Sequence, residues 1–169
     1  MQKIMIIGCS GAGKSTLARK LHELLQIPVI HMDAHFWQAN WQPTDKQQWK
    51  RVVEEFAQAD RWIIDGNYGS TIDIRLQYAD TIIHLDMPRW LCLYRVIKRR
   101  MQYHGKSRPD MNEGCNEKID WAFIKWIWNY RKRSRPQTLD KLRNVEGQKR
   151  IITIRNSQQL RAFLKQLST

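Results

Sequence analysis

The chain has 169 residues, of which 42% are hydrophobic, and its formal net charge is +13. This size and composition suit one globular domain with a buried core, and no stretch approaches the roughly 20 apolar residues of a membrane-spanning helix. Three cysteines, far apart and without a C-x-x-C pair, argue against a disulfide framework and a zinc site. Lys3 interrupts the apolar start and Gly8 ends it, so it does not match the h-region of a signal peptide, and we predict a cytoplasmic protein without a membrane partner.

Five apolar runs, each too short for a helix and rich in β-branched residues, predict the strands of a buried sheet. They are residues 3–7, 29–32, 62–64, 81–85 and 150–154. Helical patterns lie between them, and the first covers residues 14–25 with Leu17 and Leu21 on one face. Strands that alternate with helices and lack hydrophobic-polar alternation indicate a parallel sheet covered on both faces. The predicted fold class is α/β.

Two connections are longer than a minimal β-α-β unit needs, and we expect both to carry function. They are residues 34–60, between the second and third strands, and residues 103–136, after the helix that begins near Arg89. No internal repeat, low-complexity tract or linker divides the chain. We therefore predict a single domain over residues 1–169.

A glycine-rich motif lies between the first strand and the first helix. Residues 8–15, Gly-Cys-Ser-Gly-Ala-Gly-Lys-Ser, match G-x-x-x-x-G-K-[ST] at every defined position. Its glycines let the backbone form a ring of N–H donors around a phosphate, at the positive end of the new helix. We expect Lys14 to reach the β- and γ-phosphates, Ser15 to bind Mg²⁺ and Thr16 to donate to the α-phosphate. The predicted ATP-binding residues are Gly8, Ser10, Gly11, Ala12, Gly13, Lys14, Ser15 and Thr16.

Two acidic residues at strand ends are candidates for metal binding and catalysis, because ligands of α/β proteins bind at this edge of the sheet. Asp65 follows the third run and could hold Mg²⁺ or its water, as a Walker B acid does, or could begin an ordinary Asp-Gly turn. Asp33 follows the second run and could accept the proton of an acceptor hydroxyl or cap the next helix.

The first long connection is rich in aromatic residues, with His35-Phe36-Trp37 followed by Trp41 and Trp49. These rings could stack on a flat acceptor, or they could pack in the core. The five histidines of the chain show no metal-ligand spacing.

Positive charge is concentrated beyond the first half of the chain. Residues 1–88 carry 9 Lys and Arg against 10 Asp and Glu, whereas residues 89–135 carry 13 against 4. Such a basic segment predicts that phosphate binds there, on a nucleotide or on a nucleic acid. Arg95 and Arg99 share one helix face and are candidate catalytic residues that would neutralise the transferring phosphoryl group. Further candidates for this phosphate clamp are Arg100, Lys106 and Arg108.

The second long connection also contains an apolar stripe and a basic run. Trp121, Ile124 and Trp128 follow helical spacing, and we predict that they lie in the core. The basic run 131–135 could be a solvated helix end or the far side of the phosphate clamp.

These motifs resemble those of the adenylate-kinase-like P-loop kinases, and more narrowly those of the FlaR-type proteins called DNA topology modulation proteins. The resemblance covers most of the chain and rests on residues 8–15, His31-Met32-Asp33 with Trp37 and Trp41, residues 62–68, and Arg108-Pro-Asp-Met111 with Gly114, Cys115 and Glu117. It implies a five-stranded parallel sheet in the order 2-3-1-4-5, an acceptor-binding region in residues 34–60 and a lid in residues 103–136. The run 65–68, Asp-Gly-Asn-Tyr, differs from the Asp-Gly-Phe-Pro-Arg of nucleoside monophosphate kinases, which argues against AMP as acceptor.

The sequence thus predicts a kinase that transfers the γ-phosphoryl group of ATP, with Mg²⁺, to a small nucleotide or nucleotide-like acceptor. The predicted catalytic residues are Lys14, Asp33, Asp65, Arg95 and Arg99, and the predicted metal ligands are Ser15 and Asp65. A GTPase is disfavoured, because neither Asn-Lys-x-Asp nor an Asp-x-x-Gly switch is present. The basic second half and the family name leave a nucleic-acid-associated ATPase acting on DNA topology as the alternative.

Overall fold

The structure is a computed structural model that describes residues 1–104, 110–112, 114–115 and 119–167. In these ranges the strands are β1 (Lys3–Gly8), β2 (Val29–His31), β3 (Trp37–Gln38), β4 (Gln42–Pro43), β5 (Trp62–Asp65), β6 (Thr81–Leu85) and β7 (Arg150–Ile154). The helices are α1 (Lys14–Leu25), α2 (Met32–Phe36), α3 (Lys46–Gln58), α4 (Ile72–Tyr78), α5 (Arg89–Gln102), α6 (Trp121–Arg143) and α7 (Ser157–Leu167).

Five strands form one parallel sheet in the order β2-β5-β1-β6-β7. The predicted α/β class and the parallel sheet are confirmed. The predicted order 2-3-1-4-5 numbers only the five predicted runs. The structure has two further strands, β3 and β4, which were not predicted, and with them counted its order reads 2-5-1-6-7. These two strands have two residues each and pair as an antiparallel hairpin, too short to leave a periodic pattern in the sequence.

Apolar side chains cover both faces of the sheet. Ile4 and Ile6 of β1 pack on one face with α1, whereas Met5 and Ile7 pack on the other face with residues of α3. Because both faces are buried, the strands read as continuous apolar runs in the sequence. The carboxyl ends of β1, β2 and β5 carry Gly8, His31 and Asp65 at one edge of the sheet.

The long connections differ from simple loops. Residues 34–60 contain the hairpin and α3, whose N-terminus is capped by Asp45, which accepts from the N–H groups of Gln47 and Gln48. Residues 121–136 of the segment expected to form a lid lie in α6, where Ile127 and Tyr130 are in the core.

The prediction that Trp121, Ile124 and Trp128 lie in the core is wrong for the two tryptophans, which are exposed, and Ile124 is half-buried. The buried face of α6 carries Ile127 and Tyr130 instead. Trp128 adjoins Ile127 in sequence, so it points about 100° away from that buried residue around the helix.

Cys9, Cys92 and Cys115 are buried and have free thiols. A hydrogen bond with Cys92 and burial raise the pKa of the Cys9 thiol, which keeps it protonated. Across the described ranges, no helix is both long enough and apolar enough to cross a membrane.

Candidate active site

A cleft of about 470 Å³ opens at the carboxyl edge of the sheet, against the loop that joins β1 to α1. Residues 10–17 of the loop and of α1 line it. Because β1 is the central strand, β2 and β5 place their ends on one side of the loop, and the helices that follow β6 and β7 lie on the other side. The first side contributes His31, Asp33, Asp65, Gly66 and Asp110 to the cleft lining, and the second contributes Arg95, Lys98, Arg99, Gln102, Tyr103, Leu160 and Leu164.

The loop requires glycine where it meets α5 and where α1 begins. Gly11 has φ +77°, and a Cβ there would lie 2.3 Å from the carbonyl oxygen of Cys92. Gly13 has φ +100° and is the N-cap of α1, with no side chain capping the helix. The first N–H groups of α1 therefore face the cleft without a side-chain acceptor, which is the arrangement that binds a phosphate.

Two cations lie on this loop. The Nζ of Lys14 donates to the carbonyl oxygens of Gly8, at 3.1 Å, and Cys9, at 3.2 Å. From the opposite side, Nη1 of Arg95 donates to the carbonyl oxygen of Ala12 at 2.9 Å. Each side chain has more N–H donors than these contacts use, so both can also bind a phosphate oxygen.

Asp65 forms a buried pair with a histidine that the sequence analysis had not chosen. The Nδ1 of His31, at the end of β2, lies 2.8 Å from Oδ1 of Asp65, at the end of β5. Burial lowers the pKa of His31, but the hydrogen bond and the charge of Asp65, with the charge of Asp110, outweigh burial and raise it. Because a carboxylate oxygen only accepts, the Nδ1–H of His31 donates to Asp65 and holds its carboxylate in one orientation.

Asp33 is held by a tyrosine from the next loop. The hydroxyl of Tyr68 donates to Oδ1 of Asp33 at 2.6 Å. Burial, together with the charge of Asp33, raises the pKa of Tyr68, so the phenol keeps its proton and remains a donor. Asp33 is the second residue of α2 and His31 is its N-cap, so the suggestion that Asp33 caps this helix is wrong.

The loop after Asp65 is held between the phosphate loop and α4. Asn67 Oδ1 accepts from the N–H of Gly8, at 3.2 Å, and so contacts the start of the phosphate loop. Arg75, fully buried in α4, donates to the carbonyl oxygens of Gly66 at 2.7 Å, Asn67 at 3.2 Å and Tyr68 at 3.0 Å. Burial lowers the pKa of Arg75 to about 9, which still leaves it charged at neutral pH. A buried cation thus fixes the loop that carries Asn67 and Tyr68.

Sequence reasoning missed this part of the site for identifiable reasons. His31 and Tyr68 stand in motifs that the resemblance quoted, but nothing in their spacing indicates their partners. Arg75 carries no sequence signal, since an arginine in a short helix is usually exposed.

The basic run 131–135 does not form the far side of a phosphate clamp. Residues 131–133 are exposed, and none of the five residues lines the cleft. Arg135 instead donates to both carboxylate oxygens of Asp86, at 2.8 and 2.7 Å, and ties α6 to the end of β6. Burial raises the pKa of Asp86, but the hydrogen bond and charge of Arg135 outweigh burial and lower it.

Most aromatic rings of residues 34–60 pack rather than face the cleft. The Phe36 ring lies 5.1 Å from that of Trp49 and 4.8 Å from that of Tyr68, and Trp49 is in the core. This outcome favours core packing over stacking on an acceptor.

The described part of residues 103–120 contacts the same region. The N–H of Asn40 donates to the carbonyl oxygen of Gly114 at 3.2 Å, and the Cys115 thiol donates to that of Gln38 at 3.1 Å. Asp110 is buried in the cleft lining. Lys106, Arg108 and Glu117, which the sequence analysis also named, lie outside the described residues.

Mg²⁺ could be held by residues already in the cleft. In the part of the chain that the structure describes, no group of three or more His, Cys, Asp or Glu residues could hold a metal ion alone. Magnesium at nucleotide sites needs only one or two protein oxygen ligands, because phosphate oxygens and water complete its shell. Ser15 and Asp65 both line the cleft and supply such oxygens.

No family model matches the chain, and no curated protein matches it. Among solved structures, it is similar to a shikimate kinase from Acinetobacter baumannii in complex with shikimate, with 20% identity, a TM-score of 0.63, and coverage of 99% of this chain and 90% of that one. A gluconokinase from Sinorhizobium meliloti 1021 has 14% identity and a TM-score of 0.54, with 98% and 89% of the two chains covered. A deoxyadenosine kinase from M. mycoides has 14% identity and a TM-score of 0.51, with 97% of each chain covered. At these identities the likeness shows the fold alone, which is that of P-loop kinases.

Proposed function

We propose that this protein is a phosphotransferase that moves the γ-phosphoryl group of Mg-ATP to a hydroxyl of a small acceptor. The observation that carries the proposal is that the phosphate loop shares one cleft with the carboxylates of Asp33 and Asp65. A phosphate loop alone would support any nucleotide-binding protein. A carboxylate beside it supplies a group that can orient an acceptor and take up its proton.

Each cation of the loop has a part in this chemistry. Bound Mg-ATP would supply the phosphoryl group and the metal charge that neutralises its oxygens. The N–H groups of residues 11–16 would hold the phosphates, and Lys14 would exchange its carbonyl contacts for β- and γ-phosphate oxygens. Arg95 approaches the loop from α5 and would neutralise charge on the opposite side. Arg99, which also lines the cleft, is proposed to act with it.

The carboxylates divide the remaining work. Asp65, held by His31, would contribute an oxygen to Mg²⁺ or to its bound water, together with Ser15. Asp33, held by Tyr68, would accept the proton of the acceptor hydroxyl. Asp33 lines the cleft, so its carboxylate lies where an acceptor bound next to the phosphate loop would place its hydroxyl.

The acceptor is proposed to bind between Asp33, Asp65 and Asp110, next to residues 34–60. The three solved kinases named above carry the names of different acceptors, so this fold does not choose one. The motif resemblance to adenylate-kinase-like proteins of the FlaR type supports a nucleotide-like acceptor. Asn67 and Tyr68 stand where AMP kinases have Phe-Pro-Arg, which supports an acceptor other than AMP.

The test is an ADP-release screen with purified protein, Mg-ATP and panels of nucleosides, nucleotides and small hydroxylated metabolites. We expect one acceptor class to raise ADP release well above the acceptor-free rate. Lys14→Ala should abolish this rate, because it removes the cation that contacts the β- and γ-phosphates. Arg143→Ala is the matched control, since Arg143 is an exposed residue of α6 that does not line the cleft.

Two results would count against the proposal. One is the absence of Mg-ATP binding in calorimetry, because the phosphate loop then lacks its ligand. The other is a rate that Lys14→Ala leaves within a few-fold of the wild-type rate, because the observed ADP would then come from another source.

A further inference from the structure

Six large apolar side chains form an exposed stripe on α5 and α6. They are Trp90, Tyr94, Ile97 and Met101 of α5 and Trp121 and Trp128 of α6, and their exposed fractions range from 37 to 77%. The α5 residues follow the spacing i, i+4, i+7 and i+11, which places them on one face over about 16 Å of helix. We call these six residues the aromatic stripe. Apolar patches of this extent on a soluble protein mark interaction surfaces.

The stripe is a structured surface. The rings of Trp90 and Trp128 meet edge to face with centroids 4.7 Å apart, which joins α5 to α6. The guanidinium of Arg89 lies 4.2 Å from the centroid of Trp128. These contacts hold the two indoles in place at the surface.

The charges that α5 and the first part of α6 place around the stripe are positive, and Asp120, whose carboxylate caps α6 by accepting from the N–H of Phe123, is the acidic neighbour of Trp121 in the sequence. α5 contains five Lys or Arg and no Asp or Glu, and residues 121–135 of α6 contain five and none. On the α5 helix, Arg100 and Lys98 flank the stripe on opposite sides, and on α6 Lys125 stands between the two tryptophans. A partner must therefore offer apolar contact and negative charge together.

We propose that the aromatic stripe binds the surface of a bilayer that contains anionic lipids. The interface of such a bilayer presents an apolar layer directly beneath negative headgroups, which matches both properties of the surface. Tryptophan and tyrosine are the side chains that favour this interface, and lysine and arginine can reach headgroups while their stems remain in apolar contact. This interaction needs no spanning helix, and the proposal departs from the sequence prediction of no membrane partner, which considered only spanning segments.

Two other occupants fit less well. A second copy of the chain would bring the same positive helices face to face, and like charges repel. A single-stranded nucleic acid would need open aromatic faces for stacking, but Arg89 covers a face of Trp128, and Ile97 and Met101 offer no ring.

The surface is separate from the cleft. Arg95 and Arg99 line the cleft from another face of α5, and Lys98, which flanks the stripe and also lines the cleft, lies at the border between the two surfaces. A protein bound to a bilayer through the stripe would therefore keep its nucleotide site open. The inference therefore does not depend on the proposed kinase activity.

The test is flotation of the full chain with vesicles of phosphatidylcholine alone, or of phosphatidylcholine with about 30% phosphatidylglycerol. We expect binding to the anionic vesicles only, weakened by added salt. The double variant Met101→Asp, Trp121→Asp should lower the partition coefficient between vesicles and water by at least about tenfold. It removes two apolar side chains that would insert into the bilayer, and it adds two negative charges that the anionic headgroups repel. Trp121→Ser should give a smaller loss without changing the charge.

Leu24→Asp is the matched control, since Leu24 is an exposed apolar residue of α1 and lies outside the stripe. It adds one negative charge away from the stripe, and we expect vesicle binding to stay within about twofold of wild type. Circular dichroism checks that all variants remain folded. Loss of flotation in the stripe variants but not in Leu24→Asp supports the proposal.

Three results would overturn it. The first is absence of binding to the anionic vesicles, or binding that the stripe variants do not weaken. The second is a dimer in analytical ultracentrifugation that strengthens with salt and dissociates on Met101→Asp, which would assign the stripe to a second copy. The third is single-stranded DNA binding that the stripe variants abolish while vesicles fail to bind, which would assign it to nucleic acid.

Discussion

The ion pair of Asp86 and Arg135 allows a controlled test of burial, because the same helix carries an exposed counterpart. The side chains of Asp86 and Arg135 are 3% and 25% exposed, whereas those of Asp140 and Arg143 are 66% and 71% exposed. Both pairs are close, with N–O distances of 2.7 and 2.9 Å. Arg135→Met leaves a carboxylate buried without its cation, whereas Arg143→Met leaves a carboxylate in water.

The expected losses of unfolding free energy follow from this difference in burial between the two ion pairs. Removing one partner of a fully buried ion pair costs about 3–5 kcal/mol. We expect about 2–3 kcal/mol for Arg135→Met, because a quarter of the arginine is exposed and water can partly replace it. Arg143→Met should cost below about 1 kcal/mol, as exposed pairs do. The larger loss would be a substantial part of a typical folding free energy of roughly 5–15 kcal/mol.

The loss should also depend on pH in a defined direction. In the wild type Arg135 holds the pKa of Asp86 below its ordinary 3.8, so this stabilisation is present above that pH and is lost as the pH falls through the folded value. In Arg135→Met burial acts without the arginine and should raise the pKa of Asp86. The variant then gains a proton on Asp86 at mildly acid pH, and its deficit relative to the wild type should shrink.

The measurement is urea unfolding followed by circular dichroism, at neutral and at mildly acid pH, for the wild type and both variants. Equal losses for Arg135→Met and Arg143→Met would refute the role given to burial. A deficit that stays constant as the pH falls would show that packing of the arginine stem, and not the charge of Asp86, accounts for the loss.

Three further outcomes test the site. Gly11→Ala should destabilise the protein by about 2 kcal/mol in urea unfolding and weaken Mg-ATP binding in calorimetry, because the added Cβ would meet the backbone of α5. Gly69→Ala is the control and should change neither quantity, because a Cβ at Gly69 would have nothing within 4 Å. Asp65→Asn should lower the phosphotransfer rate about a hundredfold. In an NMR titration it should also lower the pKa of His31, because the charge that raises this pKa is gone. An unchanged His31 pKa would contradict the pairing of His31 with Asp65. Arg75→Met should lower the free energy of unfolding by about 3 kcal/mol in urea unfolding, because it leaves carbonyl groups of residues 66–68 unpaired. Arg75→Lys should recover only part of that loss. A loss under about 0.5 kcal/mol for Arg75→Met would show that the loop does not need the cation.

The sequence by itself determined the sheet and the phosphate loop. A strand buried on both faces is mostly apolar, so the apolar run of residues 81–85 located β6 to the residue. The phosphate loop is equally local, because its donors come from consecutive backbone groups and its glycines from the backbone angles that this arrangement needs. The same local logic located α1, whose apolar residues repeat on one face.

Tertiary structure alone decided which side chains meet at the site. His31 and Asp65 are 34 residues apart, and Tyr68 and Asp33 are 35 apart, so no local pattern could pair them. They meet because β2 and β5 are neighbours in a parallel sheet, with His31 and Asp65 in register.

Tertiary packing also decided which face of α6 is buried. This helix carries large apolar residues on more than one side, so spacing alone pointed to Trp121 and Trp128, whereas packing against the sheet selected Ile127 and Tyr130. A helix with two apolar faces can bury either face, and the surface that it packs against decides which one is left in water.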